Sequence, residues 1–288
     1  MQTISRLDEL RDAVTALKNG GKAAPATLAL VPTMGALHEG HLTLVRAAKA
    51  RADHVAVSIF VNPRQFGPNE DLDAYPRRLA ADAALLEAEG VDLLWAPTVD
   101  QVYPEGYATN VSVSGLDAVL CGAARPGHFD GVATIVGKLF NQVRPDIALF
   151  GEKDWQQLAI IRRMARDLDL TQPYAEAILG VPTVREADGL AMSSRNQYLT
   201  PEQRVQAAGL SQAMRKAIAA IESGGVVADA LATLRADVLG SGFVSVDYAD
   251  LRDAETLEDL PALSDRPARL LVAARIGKAR LIDNMAVG

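Results

Sequence analysis

The chain has 288 residues, of which 49% are hydrophobic and 23% are charged, and its formal net charge is -7. This composition is ordinary for a folded protein, and the length favours two domains over one. The acidic balance argues against a broad nucleic-acid surface or attraction to anionic lipid, because both need clustered Lys and Arg. No stretch is long and apolar enough to cross a membrane, and the first residues lack the pattern of an export signal. We therefore expect a cytoplasmic protein without nucleic-acid or membrane partners.

Helical and strand-like patterns alternate through roughly the first 183 residues. The predicted helices cover residues 5–18, 42–52, 77–89 and 132–143 and a segment after Asp154, and the predicted strands cover residues 27–31, 54–61, 91–96, 147–150 and 174–184. Strands that alternate with helices imply a parallel sheet with right-handed crossovers. Residues 1–183 are therefore predicted to form a Rossmann-like domain.

The pattern changes after about Thr183. Two predicted helices, residues 201–223 and 226–239, precede strand-like runs at residues 244–248, 270–274 and 279–284. This arrangement is typical of a smaller α+β domain, here residues 184–288. The predicted fold class is α/β: a Rossmann-like parallel sheet domain with a second, smaller α+β domain.

Cys121 is the only cysteine. A single cysteine excludes an internal disulfide and a thiolate metal cluster. We expect it to be a small buried or half-buried thiol.

The most concentrated chemical signal is PTMGALHEGH, residues 32–41, between the first buried strand and the next helix. Phosphates bind at such places in open α/β sheets, because a helix amino terminus offers unpaired N–H groups and a partial positive charge. His38 and His41 are three residues apart and are predicted to lie on one face of the first helical turn. Both can then donate hydrogen bonds to the same phosphate group.

Other kinds of site fit this segment less well. A P-loop needs Lys and Ser or Thr after the second glycine, where His41 and Leu42 stand. A zinc metalloprotease needs histidines four apart, and no third ligand stands out. A nicotinamide dehydrogenase needs G-x-G-x-x-G after a strand, which is missing. The remaining alternative, that both histidines only cap the helix, stays open for this segment alone.

Two further segments carry groups suited to an anion. GEKDWQQ, residues 151–157, follows a predicted strand, with Lys153 available to an anion and Gln157 one helical turn beyond it. MSSRN, residues 192–196, offers two hydroxyls and a guanidinium that can surround a polyphosphate.

Two segments near the sheet are less specific. FVNPRQF, residues 60–66, ends a predicted strand with amide side chains that can orient a carboxylate or a hydroxyl. RPGHF, residues 125–129, is a turn that a structural role explains entirely.

The segments PTMGALHEGHL, SIFVNP-QF, RPGHF, GEKD-QQL and DGLAMSSRN, in this order, closely resemble the pantothenate synthetase (pantoate-β-alanine ligase) family. That family belongs to the nucleotidyltransferase superfamily with HIGH and KMSKS-type motifs, and the likeness spans nearly the whole chain. The resemblance implies that pantoate attacks the α-phosphate of ATP, giving pantoyl-adenylate and pyrophosphate, and that β-alanine then displaces AMP to form pantothenate. It also implies Mg²⁺ on the phosphates, with protein ligands unknown, and a homodimer.

The family's site residues carry over to matching positions of this chain. The resemblance implies His41 as acid/base or phosphate donor with His38 beside it, together with Lys153 and Arg195. Gln65 and Gln157 resemble the pantoate-binding pair, and the implied β-alanine site comprises Gln65 and Asn62. The implied ATP-binding residues are Met34, Gly35, Ala36, Leu37, His38, Glu39, Gly40, His41, Gly151, Glu152, Lys153, Asp154, Val184, Met192, Ser193, Ser194 and Arg195.

Because part of this set comes from the second domain, we expect domain closure to belong to the mechanism. Arg64 departs from the apolar residue common in relatives, and Trp155 replaces a Phe or Tyr. An alternative is a nucleotidyltransferase of the same superfamily that acts on another small substrate. A catalytically silent nucleotide-binding module is a further alternative, but it would normally have lost a His or Lys of the site.

Overall fold

A computed structural model describes residues 1–20, 25–67, 70 and 72–288. The chain divides into two compact units. The first unit contains Met1–Ala118, Arg125–Glu152 and Gln157–Pro182, and the second contains Val119–Ala124, Lys153–Gln156 and Thr183–Gly288. Two short segments thus belong to the second unit although they lie within the sequence of the first.

The secondary structure follows the predicted alternation. The strands are β1 Gln2–Ile4, β2 Leu28–Thr33, β3 His54–Ile59, β4 Leu93–Trp95, β5 Ile147–Gly151, β6 Ile178–Val181, β7 Ser245–Asp253, β8 Ala268–Ile276 and β9 Ala279–Val287. The helices are α1 Leu7–Asn19, α2 Glu39–Lys49, α3 Leu79–Ala88, α4 Val99–Val102, α5 Leu120–Ala124, α6 His128–Val143, α7 Trp155–Asp167, α8 Pro201–Ala207, α9 Gly209–Glu222 and α10 Val227–Gly240. Short 3-10 turns cover Pro63–Gln65, Glu152–Asp154, Ala175–Ala177 and Ser194–Tyr198.

The first unit is built on a parallel sheet with strand order β1-β4-β3-β2-β5-β6. This confirms the predicted Rossmann-like sheet. From β2 the chain adds β3 and β4 on one side, and then β5 and β6 on the other. The carboxyl ends of β2 and β5 therefore flank the topological switch point, where open α/β sheets bind ligands.

Central strand β2 is buried on both faces, which explains its continuous apolar run. Leu28, Ala29, Leu30 and Val31 are all 0% exposed. Helix α2 packs against β2, β3 and β5 with Leu44, Val45 and Ala48 buried. This packing fixes the amino terminus of α2 next to the end of β2.

The second unit contains an antiparallel sheet in the order β7-β8-β9. Helix α9 packs against α10 and β9, and α10 packs against β7. Their shared core includes Leu210, Met214, Leu234, Leu251 and Leu270. The predicted smaller α+β architecture is confirmed.

Several predicted boundaries differ from the structure. The helix predicted over residues 201–223 is two helices, α8 and α9, separated at Ala208. Periodicity did not detect the break because Ala207 and Leu210 both face the same core. Strand β1 was missed because three residues are too few for a period, and β7 to β9 are longer than predicted because antiparallel pairing continues past their apolar centres.

Two other expectations concern single features. Cys121 is a buried free thiol, as expected. No helix in the described part of the chain is long and apolar enough to cross a membrane.

Candidate active site

The candidate site residues of the first unit lie at the carboxyl edge of the parallel sheet. The histidine segment, residues 34–41, follows β2. The Asn62 turn, residues 62–65, follows β3, and Glu152 follows β5. These three strands are adjacent in the order β3-β2-β5. Parallel strands end at the same edge, so the sheet brings together three segments that the sequence places far apart.

The chain leaves β2 through a tight loop. The hydroxyl of Thr33 donates to the carbonyl oxygen of Ser58 at 2.8 Å and accepts the N–H of Gly35 at 3.2 Å. Gly35 has φ +82 and Ala36 has φ +52, in the left-handed region. A Cβ on Gly35 would lie 3.1 Å from both the Asp82 carboxylate and the Ile59 side chain. Glycine is therefore required by backbone conformation and by space.

Asp82 of α3 fixes this loop by hydrogen bonds to its backbone. Its carboxylate accepts the N–H of Ala36 at 2.8 Å and of Leu37 at 2.9 Å, and the residue is 2% exposed. The N–H groups of Ala36 and Leu37, which precede the helix, are therefore already used within the chain. Sequence patterns alone do not point to Asp82. Its only signal was one acidic residue within LAADAALL.

The two histidines form a capping box at the start of α2. His38 is the N-cap, and its Nδ1 accepts the N–H of Gly40 at 3.2 Å. The Nδ1 of His41 accepts the N–H of His38 at 3.3 Å. The N–H groups of Gly40 and His38 are thus also used within the chain, because each donates a hydrogen bond to an imidazole nitrogen.

Capping fixes the chemistry of both imidazoles. A ring nitrogen that accepts a hydrogen bond carries no proton, so each neutral ring has its N–H on Nε2. The ring centroids are 4.1 Å apart. The cap therefore does not exclude the phosphate hypothesis: Nδ1 of each ring is used by the helix start, and the donor of each ring is Nε2–H, near the positive end of the helix dipole.

The Asn62 turn presents Gln65. Asn62 is 0% exposed, and its Nδ2 donates to Gln65 Oε1 at 3.0 Å and to the carbonyl oxygen of Gly131 at 3.0 Å. A Cβ on Gly131 would overlap the carbonyl group of Arg64, so glycine lets α6 approach this turn. The structure thus places Asn62 and Gln65 in direct contact, with Gln65 8% exposed.

The RPGHF turn fixes the backbone of Gln65. Arg125 Nη2 donates to the carbonyl oxygen of Gln65 at 3.1 Å, and His128 Nδ1 donates to the same oxygen at 2.9 Å. Arg125 also pairs with Glu70 at 2.5 and 2.7 Å. Burial alone would raise the pKa of Glu70, but Arg125 outweighs it and lowers that pKa. The predicted structural turn is therefore part of the support for Gln65.

Arg64 is exposed and packs against aromatic rings. Its guanidinium carbon lies 5.5 Å from the ring centroid of Tyr103 and 5.6 Å from that of Tyr107. Its Nη2 donates to Asn110 Oδ1 at 2.8 Å. The departure at this position thus adds a cation above two tyrosines. Tyr103, which no sequence motif singles out, also donates its hydroxyl to Asn62 Oδ1 at 2.9 Å.

In the second unit, the Lys153 turn is anchored by long-range contacts. The carbonyl oxygen of Lys153 accepts from Asn284 Nδ2 at 2.8 Å. The Nζ of Lys153 lies 3.8 Å from the carboxylate of Asp154. The ring centroid of Trp155 lies 3.4 Å from the Arg269 guanidinium carbon, and its indole N–H donates to the carbonyl oxygen of Ala254 at 2.8 Å. Phe could not replace that N–H.

The segment that begins at Val184 folds back on itself. Arg185 forms an isolated bridge with Ala191, and the N–H of Met192 donates to the carbonyl oxygen of Val184 at 3.0 Å. Arg185 also pairs with Asp283 through two hydrogen bonds of 2.7 and 2.8 Å, and Asp283 is 3% exposed. This pair, in which Asp283 is buried and the Arg185 side chain is 20% exposed, holds the start of the segment on β9.

The end of the segment is a short capped turn. The hydroxyl of Ser193 accepts the N–H of Arg195 at 3.3 Å. Ser193 and Lys153 line one small cavity together with Asp283. Two groups that the resemblance assigned to ATP are therefore neighbours within this unit.

The predicted set divides between the two units. Met34 to His41, Asn62, Gln65, Gly151, Glu152 and Gln157 belong to the first, and Lys153, Asp154, Val184 and Met192 to Arg195 belong to the second. Among the described residues, no group of three or more His, Cys, Asp or Glu side chains could hold a metal ion.

Comparisons with known proteins place these features in a family. The family model described as Pantoate-beta-alanine ligase matches residues 2–286. The chain is similar to the pantothenate synthetase of Novosphingobium aromaticivorans, with 77% identity over 100% of this chain and 99% of the relative. It is also similar to that of Sphingopyxis alaskensis, with 64% identity over 100% of both chains.

Solved structures of pantothenate synthetases are also similar to this chain. The crystal structure of pantothenate synthetase from Thermus thermophilus matches with a TM-score of 0.90 and 48% identity, covering 99% of each chain. A pantoate-beta-alanine ligase from Francisella tularensis, complexed with beta-gamma ATP and beta-alanine, matches with a TM-score of 0.82 and 32% identity, covering 99% of this chain and 97% of that one.

Proposed function

The chain belongs to the pantoate-beta-alanine ligase family, and on this premise we propose how it condenses pantoate with β-alanine in an ATP-dependent reaction. The pantoate carboxylate attacks the α-phosphate of ATP and releases pyrophosphate, and the amine of β-alanine then displaces AMP from pantoyl-adenylate. The observation that carries this proposal is the full-length family match together with the histidine segment at the switch point of the sheet.

In the first step, His38 and His41 meet the phosphates. Negative charge develops on the α-phosphate and on the leaving pyrophosphate, so donors fixed in advance lower the barrier. The two Nε2–H groups are such donors, because the helix cap already holds both rings. In this proposal the backbone from Met34 to Gly40 shapes the nucleotide site, and Gly151 and Glu152 continue it from β5.

The second unit supplies the cationic part of the site. Lys153 meets phosphate and Asp154 meets the ribose region, while Val184 and Met192 to Arg195 cover adenine and the polyphosphate. The contacts on Asn284 and Asp283 support this assignment, because they hold both segments to one strand. We propose that residues 1–183 form a nucleotide and pantoate domain and residues 184–288 a smaller domain, with the short segments Val119–Ala124 and Lys153–Gln156 grouped with the latter and with closure as part of the mechanism.

Gln65 and Gln157 bind pantoate, and Gln65 with Asn62 behind it serves β-alanine. The amide step needs little acid/base help because the acyl phosphate is already activated. Holding the amine and the anhydride together then supplies much of the barrier reduction. Exclusion of water also protects the adenylate from hydrolysis.

Mg²⁺ is proposed as an ion carried on the nucleotide. With ATP, Mg²⁺ usually takes most of its octahedral ligands from phosphate and water and only one or two from carboxylates. That donor chemistry fits a chain in which the described residues offer no cluster of three acidic or imidazole ligands. Mg²⁺ would neutralise phosphate charge there. A homodimer and a cytoplasmic location are further proposals, supported by family likeness alone.

A pyrophosphate-release assay tests the reaction. With ATP and Mg²⁺ present, pantoate alone should release pyrophosphate in one limited turnover, and β-alanine should then give continuous release with AMP and pantothenate. Formation of ADP instead of AMP would rule out the adenylate. Adenylate that accumulates regardless of β-alanine would indicate a nucleotidyltransferase of the same superfamily.

A further inference from the structure

The Asn62 amide uses its whole hydrogen-bonding capacity inside the first unit. Both Nδ2 hydrogens are donated, to Gln65 Oε1 and to the Gly131 carbonyl oxygen, each at 3.0 Å. Its Oδ1 accepts the Tyr103 hydroxyl at 2.9 Å and the N–H of Arg64 at 3.3 Å. A side-chain amide has two donors and one oxygen with two lone pairs, so Asn62 has nothing left for a ligand.

This arrangement sets the polarity of Gln65. Because Asn62 donates to Oε1, the Gln65 amide is turned so that its NH2 group points away from Asn62. An amide NH2 binds carboxylate and hydroxyl oxygens, which are the polar groups of pantoate. The backbone of Gln65 is fixed separately by Arg125 and His128, so the remaining freedom lies in its side chain.

Tyr103 makes the shorter of the two bonds that hold Asn62 Oδ1. The other donor, the N–H of Arg64, is two residues away in the same turn and 3.3 Å distant. Burial raises the pKa of Tyr103 to about 12, so its hydroxyl stays protonated and donates at neutral pH. The ring is held by Phe60 at 6.2 Å and Tyr107 at 5.0 Å between centroids. The hydroxyl is therefore presented to Asn62 by a packed ring.

We propose that Tyr103 is a positioning residue for substrate, which acts through Asn62 to fix the side-chain amide of Gln65. This inference rests on the proposed role of Gln65 in binding pantoate. It assigns Asn62 an indirect role in the site, because its amide is fully occupied by protein groups.

Tyr103→Phe removes only the hydroxyl and keeps the packed ring. We expect the KM for pantoate to rise roughly tenfold, the size of one lost hydrogen bond, with the KM for ATP unchanged and a smaller effect on kcat. Tyr107→Phe is the matched control, because it removes a hydroxyl from the neighbouring ring, and it should leave both KM values near normal. Thermal unfolding of each variant shows whether any loss is general.

A double-mutant cycle with Gln65→Ala decides the route. If Tyr103 acts through Gln65, Tyr103→Phe should add nothing to the pantoate KM in the Gln65→Ala background. An equal increase in both backgrounds would overturn the inference, as would a normal KM for Tyr103→Phe when Gln65→Ala is impaired. A normal KM for Gln65→Ala itself would overturn the proposed role of Gln65 and this inference with it.

Discussion

The candidate site residues of the two units are held in place by contacts of different range. In the first unit, the His38 and His41 cap uses bonds between residues two and three apart in sequence. In the second unit, Lys153 is anchored 131 residues away by Asn284, and Arg185 is anchored 98 residues away by Asp283. The first part is thus organised locally by a helix start, and the second depends on a completed sheet.

The two parts also differ in electrostatics. The first presents two imidazoles and a helix dipole, with the preceding loop held by Asp82. The second presents Lys153, which lines a cavity together with Asp283 of the Arg185–Asp283 ion pair. The helix start in the first unit is held by hydrogen bonds between neighbouring residues. In the second unit, removing one partner of the Arg185–Asp283 ion pair should lower the free energy of unfolding, because the other charge is left without its partner. Variants can test whether this distinction governs function and stability.

The largest expected effect is on catalysis, and it should be similar in both parts. His41→Ala and Lys153→Ala should each lower pantoyl-adenylate formation by about 10²- to 10³-fold, because each removes a donor aimed at developing charge. Pyrophosphate release measures this, and circular dichroism checks the fold. The matched controls are His54→Ala and Lys216→Ala. His54 lies at the amino end of β3, away from the carboxyl edge of the sheet, and Lys216 lies on the exposed face of α9. Near-normal turnover in either site variant would refute its assigned role.

Asp283→Ala tests whether the long-range ion pair of the second unit contributes to the stability of the protein. It leaves Arg185 without its carboxylate, so the free energy of unfolding should fall by about 3 kcal/mol. Urea unfolding gives this value. Asp237→Ala is the control in the same unit, since the Lys216–Asp237 pair is 64% and 36% exposed and should contribute less than about 1 kcal/mol. Equal losses in both variants would show that burial of the Arg185–Asp283 pair is not what matters.

Asp82→Asn should weaken nucleotide binding more than pantoate binding. The new NH2 group would face one of the two loop N–H groups that Asp82 now accepts. The KM for ATP should rise roughly tenfold, as expected when one buried donor loses its partner. Asp92→Asn is the control, because Asp92 accepts the N–H of Val55 at the opposite edge of the sheet. An unchanged KM for ATP with Asp82→Asn would contradict a positioning role.

The smallest expected effect is a change in folding stability at acidic pH. Arg125 lowers the pKa of Glu70 in the folded protein below its ordinary value of 4.5. A lowered carboxyl pKa stabilises the folded state above the unfolded pKa, and this contribution disappears as pH falls through the folded pKa. The stability difference between the wild type and Glu70→Gln should therefore be present at pH 7 and shrink below about pH 4. Urea midpoints across this range measure it. A difference for Glu70→Gln that is constant with pH would contradict the ion pair.

The local features of the site were the ones that the sequence could predict. The histidine pair and the strand-to-helix positions of residues 32–41 and 151–157 follow from patterns spanning a few residues. Asp82, Tyr103 and Asp283 were missed because each acts on a partner at least 41 residues away. No short-range pattern encodes such a pairing.

The sequence by itself determined the alternation of strands and helices, the smaller α+β second unit and, through its motifs, the family. It did so because apolar periodicity and helix starts depend on neighbouring residues. Only the tertiary structure decided which N–H groups the loop keeps for itself and which way Gln65 turns. Those choices depend on hydrogen-bond partners that meet only after the sheets have formed, so they are properties of the folded chain.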